Sequence, residues 1–187
     1  MTSSALSSLR VGSLALLLLT CMGGVGRAQL PGKENLFTNG NFEKGTEGWP
    51  LTVHEKKGTM SVDDTERYQG KATLKVQNVG VDDTLVIQKV TVKPHTRYKL
   101  TGMIKTKGVE PANHKAKDGA SLSIQGGFEK TKVQQHDSPW TRVMMEIDSG
   151  PRNELAVGPR LGHYSALVGG TAWFADLSLV ELGPGKK

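Results

Sequence analysis

The sequence predicts an all-β domain, built as a sandwich or a barrel, and three observations carry that reading. Short segments alternate apolar and polar residues with the period of two expected of half-buried strands. Glycine is abundant, with 23 residues, and turn-forming clusters recur roughly every 8–12 residues, the spacing of all-β domains. After residue 28 no stretch shows a persuasive amphipathic helical period.

In order, Asn35 to Glu43 reads as a short strand broken by a turn at Asn39-Gly40, and Lys44 to Gly48 reads as a loop before a strand opened by Trp49. Gly58–Val62 and Ala72–Val76 follow, separated by turns at Asp63-Asp64 and Tyr68-Gln69-Gly70. Thr84–Val92 is rich in β-branched residues and reads as a buried strand, ended by Lys93-Pro94-His95, since proline lacks the ladder donor. Thr96–Lys105 sets Tyr98, Leu100, Gly102 and Ile104 on one face. Val109–Asp118 reads as a polar loop. Ser121–Gln125 turns Leu122 and Ile124 inward, and Glu129–Ser138 reads as a polar connection. Trp140–Ile147, Glu154–Arg160 and a long final strand, Gly170–Glu181, complete the set. Alternation puts Trp173, Ala175, Leu177 and Leu179 together on an apolar face of that last strand, with Phe174, Asp176, Ser178 and Val180 opposite.

The first 28 residues read as a secretory signal peptide: Arg10, the apolar run Val11–Leu19, then a small-residue segment ending Gly26-Arg27-Ala28. The apolar run is too short for a comfortable membrane span. A lipoprotein anchored at Cys21 is the minor alternative, although Leu19 and Thr20 depart from the usual lipobox. Residues 29–34 then form a short linker, 35–182 one domain and 183–187 a tail, placing the protein outside the cell, in the periplasm or in the cell envelope. Cys21 is the sole cysteine, so the mature chain has neither disulfides nor thiolate metal ligands. Arg10 and Arg27 leave with the leader, so 22 basic residues face 18 acidic ones, a net of +4. That excess is scattered and lacks the basic, aromatic-interleaved run of a nucleic-acid surface.

Five segments in order resemble a known family. Asn35-Leu36-Phe37 with Asn39-Gly40-Asn41-Phe42-Glu43 and Gly48-Trp49 opens the series. Tyr68 to Val76, Tyr98 to Lys105, Trp140 to Val143, and Trp173-Phe174-Ala175-Asp176-Leu177-Ser178-Leu179 follow. Together they resemble the CenC-type carbohydrate-binding modules of families 4, 9 and 22. The resemblance implies a two-sheet antiparallel β-sandwich, a galactose-binding-domain-like jelly roll. It also implies core roles for Trp49, Trp140 and Trp173, and a structural calcium near the Asn39–Glu43 segment, held in part by the first of two adjacent acids in the last strand. Here Ala175 replaces that first acid and only Asp176 remains, which weakens a site for a cation that takes six to eight oxygens. A bulge that turns Asp176 inward beside Glu43 and carbonyls of the Gly70 turn is the remaining arrangement.

With the tryptophans assigned to the core, Tyr164 with His163 is the best exposed platform for the apolar face of a sugar. Arg160 and Gln125 are candidates for reading its hydroxyls. No catalytic constellation stands out. The acids form no distinctive pair, Asp63-Asp64 and Asp82-Asp83 read as turn residues, and Gly162-His163-Tyr164-Ser165-Ala166 lacks the nucleophile-elbow spacing. The five histidines never fall at metal-ligand spacing. The expectation is a secreted, non-enzymatic carbohydrate-binding protein, the alternative a cell-envelope protein that binds another protein or serves structurally.

Overall fold

The computed structural model describes Met1 and residues 33–113 and 116–185; the signal-peptide and Cys21 readings lie outside them. Ten strands are present: β1 (Leu51–Val53), β2 (Gly58–Tyr68), β3 (Lys71–Asp82), β4 (Thr84–Val86), β5 (Gln88–Thr91), β6 (Thr96–Pro111), β7 (Ala120–Ile124), β8 (His136–Asp148), β9 (Glu154–Leu161) and β10 (Val168–Pro184). No helix occurs among the described residues, and none is long and apolar enough to cross a membrane.

All pairings between strands are antiparallel and make two five-stranded sheets. In sheet A, β4 and β5 are two parts of one broken strand, pairing along one edge of β9; β1 lies outside β4, and β7 lines the other edge of β9. Sheet B runs β2-β3-β10-β6-β8. Between them lie Leu74, Val76, Leu100, Ile104, Leu122, Ile124, Val143, Leu155, Val157, Leu161, Phe174, Leu177 and Leu179, all buried in one cluster. Gly102 is required there: a Cβ would come within 2.6 Å of Leu177 and 3.1 Å of Leu122.

The segment Asn35–Trp49 is a run of turns rather than strands, yet it closes the fold. Phe37 and Phe42 pack on Trp49 with ring centroids 5.0 and 5.6 Å away, and the Trp49 indole donates to the Asn39 carbonyl at 3.0 Å. The Leu36 amide donates to Leu179, and the Leu177 amide donates to Gly40. Asn35 adds both halves of its amide, donating to Leu177 O and accepting from the Leu179 amide, each at 2.9 Å. This segment therefore takes over the edge of β10 beyond Phe174, where the pairing with β3 stops.

The long strand β10 departs from strict alternation. Its register against β6 shifts between Ala175 and Ser178, where Asp176 adopts φ = +50°. The extra residue is a β-bulge, which moves the face parity by one. Ala172 and Phe174 point into the core before it, and Leu177 and Leu179 after it. Trp173 and Ala175 thus lie on the outer face, opposite to the reading from alternation. Trp140 is only half-buried and also faces outward, since its neighbour Thr141 pairs with core Ile104. Of the three tryptophans only Trp49 joins the core cluster.

Other boundaries differ for local reasons. Asp63-Asp64 is not a turn: β2 continues to Tyr68, but between Asp63 and Tyr68 it leaves β3. There it folds across the outer face of sheet B, as bonds from Asp63 to Trp173 and from Glu66 to Lys105 record. The stretch read as a polar loop from Val109 begins inside β6, where Val109 is fully buried.

Candidate functional site

The outer face of sheet A follows from register. Leu161, Val157 and Leu155 of β9 point inward, so Arg160, Gly158 and Ala156 point out. Arg160 sits between Leu85 of β4 and Ser121 of β7, and Gly158 lies beside Ser123. Lys89 of β5 is opposite Ala156, whose carbonyl accepts the Gln125 amide at 2.8 Å.

At the Arg160 end the face is polar and closed. Arg160 is 1% exposed, and its Nε donates to Asp83 Oδ1 at 2.7 Å while Nη2 donates to Asp83 Oδ2. Burial alone would lower the pKa of the guanidinium, but the Asp83 carboxylate outweighs that and raises it. The same carboxylate accepts the Tyr164 amide at 2.8 Å. The Tyr164 ring lies over the guanidinium, 4.2 Å from its carbon to the ring centroid, a cation–π contact. Tyr164 also packs against His163 and Phe128, at centroid distances of 4.8 and 5.4 Å, and its hydroxyl donates to the Gly127 carbonyl at 2.8 Å. Lys130 forms an ion pair with Asp118. Burial, then the cations Lys130 and Arg160, push the His163 pKa below its usual value.

Four polar atoms here have no partner: Ser121 Oγ, Ser123 Oγ, Arg160 Nη1 and His163 Nε2. Among the described residues just one further buried side-chain atom, Trp140 Nε1, shares that condition. Buried polar groups are otherwise nearly always satisfied, so their concentration at this end of the sheet singles it out as the candidate site. Further along the same face a groove of about 670 Å³ is lined by residues including Thr52, Ile87, Lys89 and Gln125.

Of the four residues expected to bind, Tyr164, His163 and Arg160 come together. Gln125 is exposed in the groove, on the same face but about four residues along the strands, roughly 13 Å away. Arg160 does not offer a bidentate fork, because Asp83 holds it; only Nη1 is left. Sequence reasoning missed Phe128, Ser121, Ser123 and Asp83. Phe128 is 82% exposed and follows Gly126-Gly127, and a lone aromatic at such a glycine-rich tip was the available signal. The burial of the serines had none, since alternation marks them as solvated.

The expected calcium ligands meet a different partner. Glu43 Oε1 accepts from Lys71 Nζ at 2.8 Å, which lowers the Glu43 pKa, and the charge of Asp176 acts on the same ammonium. Lys71 thus supplies the positive charge between the two carboxylates. Among the described residues no three of His, Cys, Asp and Glu gather as a metal-binding group.

Comparison with known proteins agrees with the geometry. Residues 34–121 match the family described as carbohydrate binding domain, CBM_4_9. A curated relative, the tRNA3(Ser)-specific nuclease WapA of Bacillus spizizenii, is 27% identical over 163 residues. The match takes in 80% of this chain but spans only 7% of that relative's length. Among solved structures, a family 16 carbohydrate binding module is 21% identical with a TM-score of 0.52, covering 79% of this chain and 100% of that one. The module TmCBM61, solved in complex with β-1,4-galactotriose, is 18% identical with a TM-score of 0.51, covering 79% and 99%. Residues 34–121, from the aromatic segment to the start of β7, thus match the carbohydrate binding domain family, and the chain shares the two-sheet jelly-roll fold of those solved modules.

Proposed function

We propose that the protein is an exported, non-catalytic carbohydrate-binding protein that holds a neutral saccharide on the outer face of sheet A. The observation that carries this reading is the set of four unpartnered polar atoms, on Ser121, Ser123, Arg160 and His163, beside the aromatic pair Phe128 and Tyr164. Together they offer hydroxyl-reading groups next to rings on which a pyranose face stacks. The groove past Ile87 and Gln125 gives the rest of a chain somewhere to lie. Neutrality follows from charge: Arg160 is matched by Asp83, Lys130 by Asp118 and Lys89 by Glu154. Each of these three cations is already paired with a carboxylate, which disfavours an acidic sugar. The family match and the galactotriose bound by TmCBM61 support the ligand class.

The test is calorimetric titration with soluble neutral and acidic polysaccharides. Binding to at least one neutral glucan, xylan or galactan is expected, weakened about tenfold or more in Tyr164→Ala. A folded protein that binds none of the panel would overturn the reading.

A further inference from the structure

The opposite face of the sandwich carries a second cavity, of about 570 Å³, on the outside of sheet B. Its floor includes Trp173 of β10, which the bulge at Asp176 leaves facing out. One wall is the stray half of β2, with Asp63, Thr65 and Glu66; the other is Lys105 to Lys107 of β6 and Asp137 to Pro139 of β8.

This cavity is built rather than incidental. Asp63 accepts from the amides of Thr65 and Glu66 at 2.9 and 3.1 Å, from the Thr65 hydroxyl at 2.6 Å, and through its other oxygen from the Trp173 indole at 2.9 Å. The indole plane is thereby fixed by an acceptor that is itself fully engaged. Glu66 reaches across the sheet to Lys105, Oε2 to Nζ at 2.8 Å, and its carbonyl accepts from buried Thr73 at 2.7 Å. Asp137 accepts the Gly108 amide at 2.7 Å. Next to Pro139, Trp140 packs against Tyr68 with ring planes tilted by 54° and centroids 5.2 Å apart, and its indole nitrogen is the fifth buried atom without a partner. The outer face of sheet B therefore holds two tryptophans and a tyrosine, and a volume in the range of small-ligand sites.

We infer that this cavity is a second saccharide-binding site, independent of the one on sheet A and selective for neutral sugars. Trp173, 8% exposed beneath the crossing stretch of β2, supplies the apolar surface at the floor. Glu66 and Asp137 retain lone pairs for sugar hydroxyls, and the ammonium groups of Lys105 and Lys107 donate to sugar oxygens. Three carboxylates against two ammonium groups line the space, which disfavours phosphate and uronate ligands. The inference does not depend on the sheet A reading, because no residue is shared between the two faces.

The experiment is an ¹⁵N NMR titration of the protein with β-1,4-galactotriose, xylohexaose, cellohexaose and an oligogalacturonate. The Trp173 indole signal is assigned as the one missing from the spectrum of Trp173→Phe. At least one neutral oligosaccharide is expected to shift that signal and the amides of Thr65, Glu66 and Ser138 in a saturable way. Lys105→Ala/Asp137→Ala should weaken that response tenfold or more, while Ser121→Ala/Ser123→Ala should leave it unchanged. Thermal melting checks that each variant is folded. Shifts confined to Arg160, His163, Tyr164 and Gln125 would overturn the second site and leave the first standing. A Trp173 response only to the oligogalacturonate would overturn the selectivity, and no response at Trp173 to any of the four would overturn the site itself.

Discussion

Asp83 is buried, and its carboxylate serves Arg160 twice and the Tyr164 backbone once. Removing one member of a buried, hydrogen-bonded pair leaves the other charge without compensation, at a cost of roughly 3–5 kcal/mol. Asp83→Ala is therefore expected to lower the unfolding free energy measured in urea by that amount and to release the Tyr164 loop. Arg160→Ala should cost about as much, and the double variant clearly less than the sum, because the second change removes the charge the first had stranded. Additive losses in chemical denaturation would contradict this. The pair was half legible in the sequence. Arg160 stands out in a strand of small apolar residues, but Asp83 lies 77 positions earlier and looks like a turn residue. Only the pairing of β4 with β9 brings the two together.

The most instructive element is β10. Its existence and length are plain in the sequence, yet alternation assigns Trp173 to the wrong face, because one additional residue at Asp176 changes the parity midway. Nothing in a row of apolar residues announces a bulge; Asp is merely among the residues that tolerate a left-handed backbone. That tolerance can be measured. Asp176→Val places a β-branched side chain at φ = +50° and is expected to cost about 1–2 kcal/mol. Asp176→Gly should remain within about 1 kcal/mol of the parent. Equal stability of the two variants in urea would argue against a strained bulge. The same displacement explains why the cavity on sheet B escaped sequence reading while much of the face on sheet A did not. Tyr164 belongs to a loop whose exposure can be guessed, although its neighbour His163 is buried, whereas Trp173 is exchanged between the inner and outer faces by a single residue.

Over the whole molecule, the all-β class was legible in alternation and turns, and the two-sheet architecture in the five ordered segments. Loop burial was not: Asp82 is fully buried at the end of β3. It accepts the amides of Glu55, Lys57 and Asp83 at 2.8, 2.7 and 2.7 Å. Burial raises its pKa, but these amides outweigh that and hold it below the usual value; hydrogen bonds from Thr65 and Trp173 lower that of Asp63 far more. A depressed folded-state pKa means the unfolded chain binds protons more readily, so stability is complete above the unfolded carboxylate value near 4 and is lost as pH falls towards the folded one. His163, also depressed, adds a smaller loss that begins as pH drops through about 6.5. The melting temperature is expected to slip between pH 7 and 5 and to fall steeply below 4. Asp82→Asn should lower the neutral plateau and flatten the acid limb. A profile flat down to pH 3 would refute the assignment.

The turns around Asn35 and Gly40 bond to Leu177 and Leu179, some 140 positions later. Such a contact cannot form until almost the entire domain has been synthesised, so folding is gated by its last strand. Until then β10 presents unpaired amides and carbonyls along one side, a template for another chain. High sequence separation of contacts slows folding in general, and here it prolongs that exposure. The clasp that completes the sandwich is therefore also what shields its longest strand from intermolecular pairing.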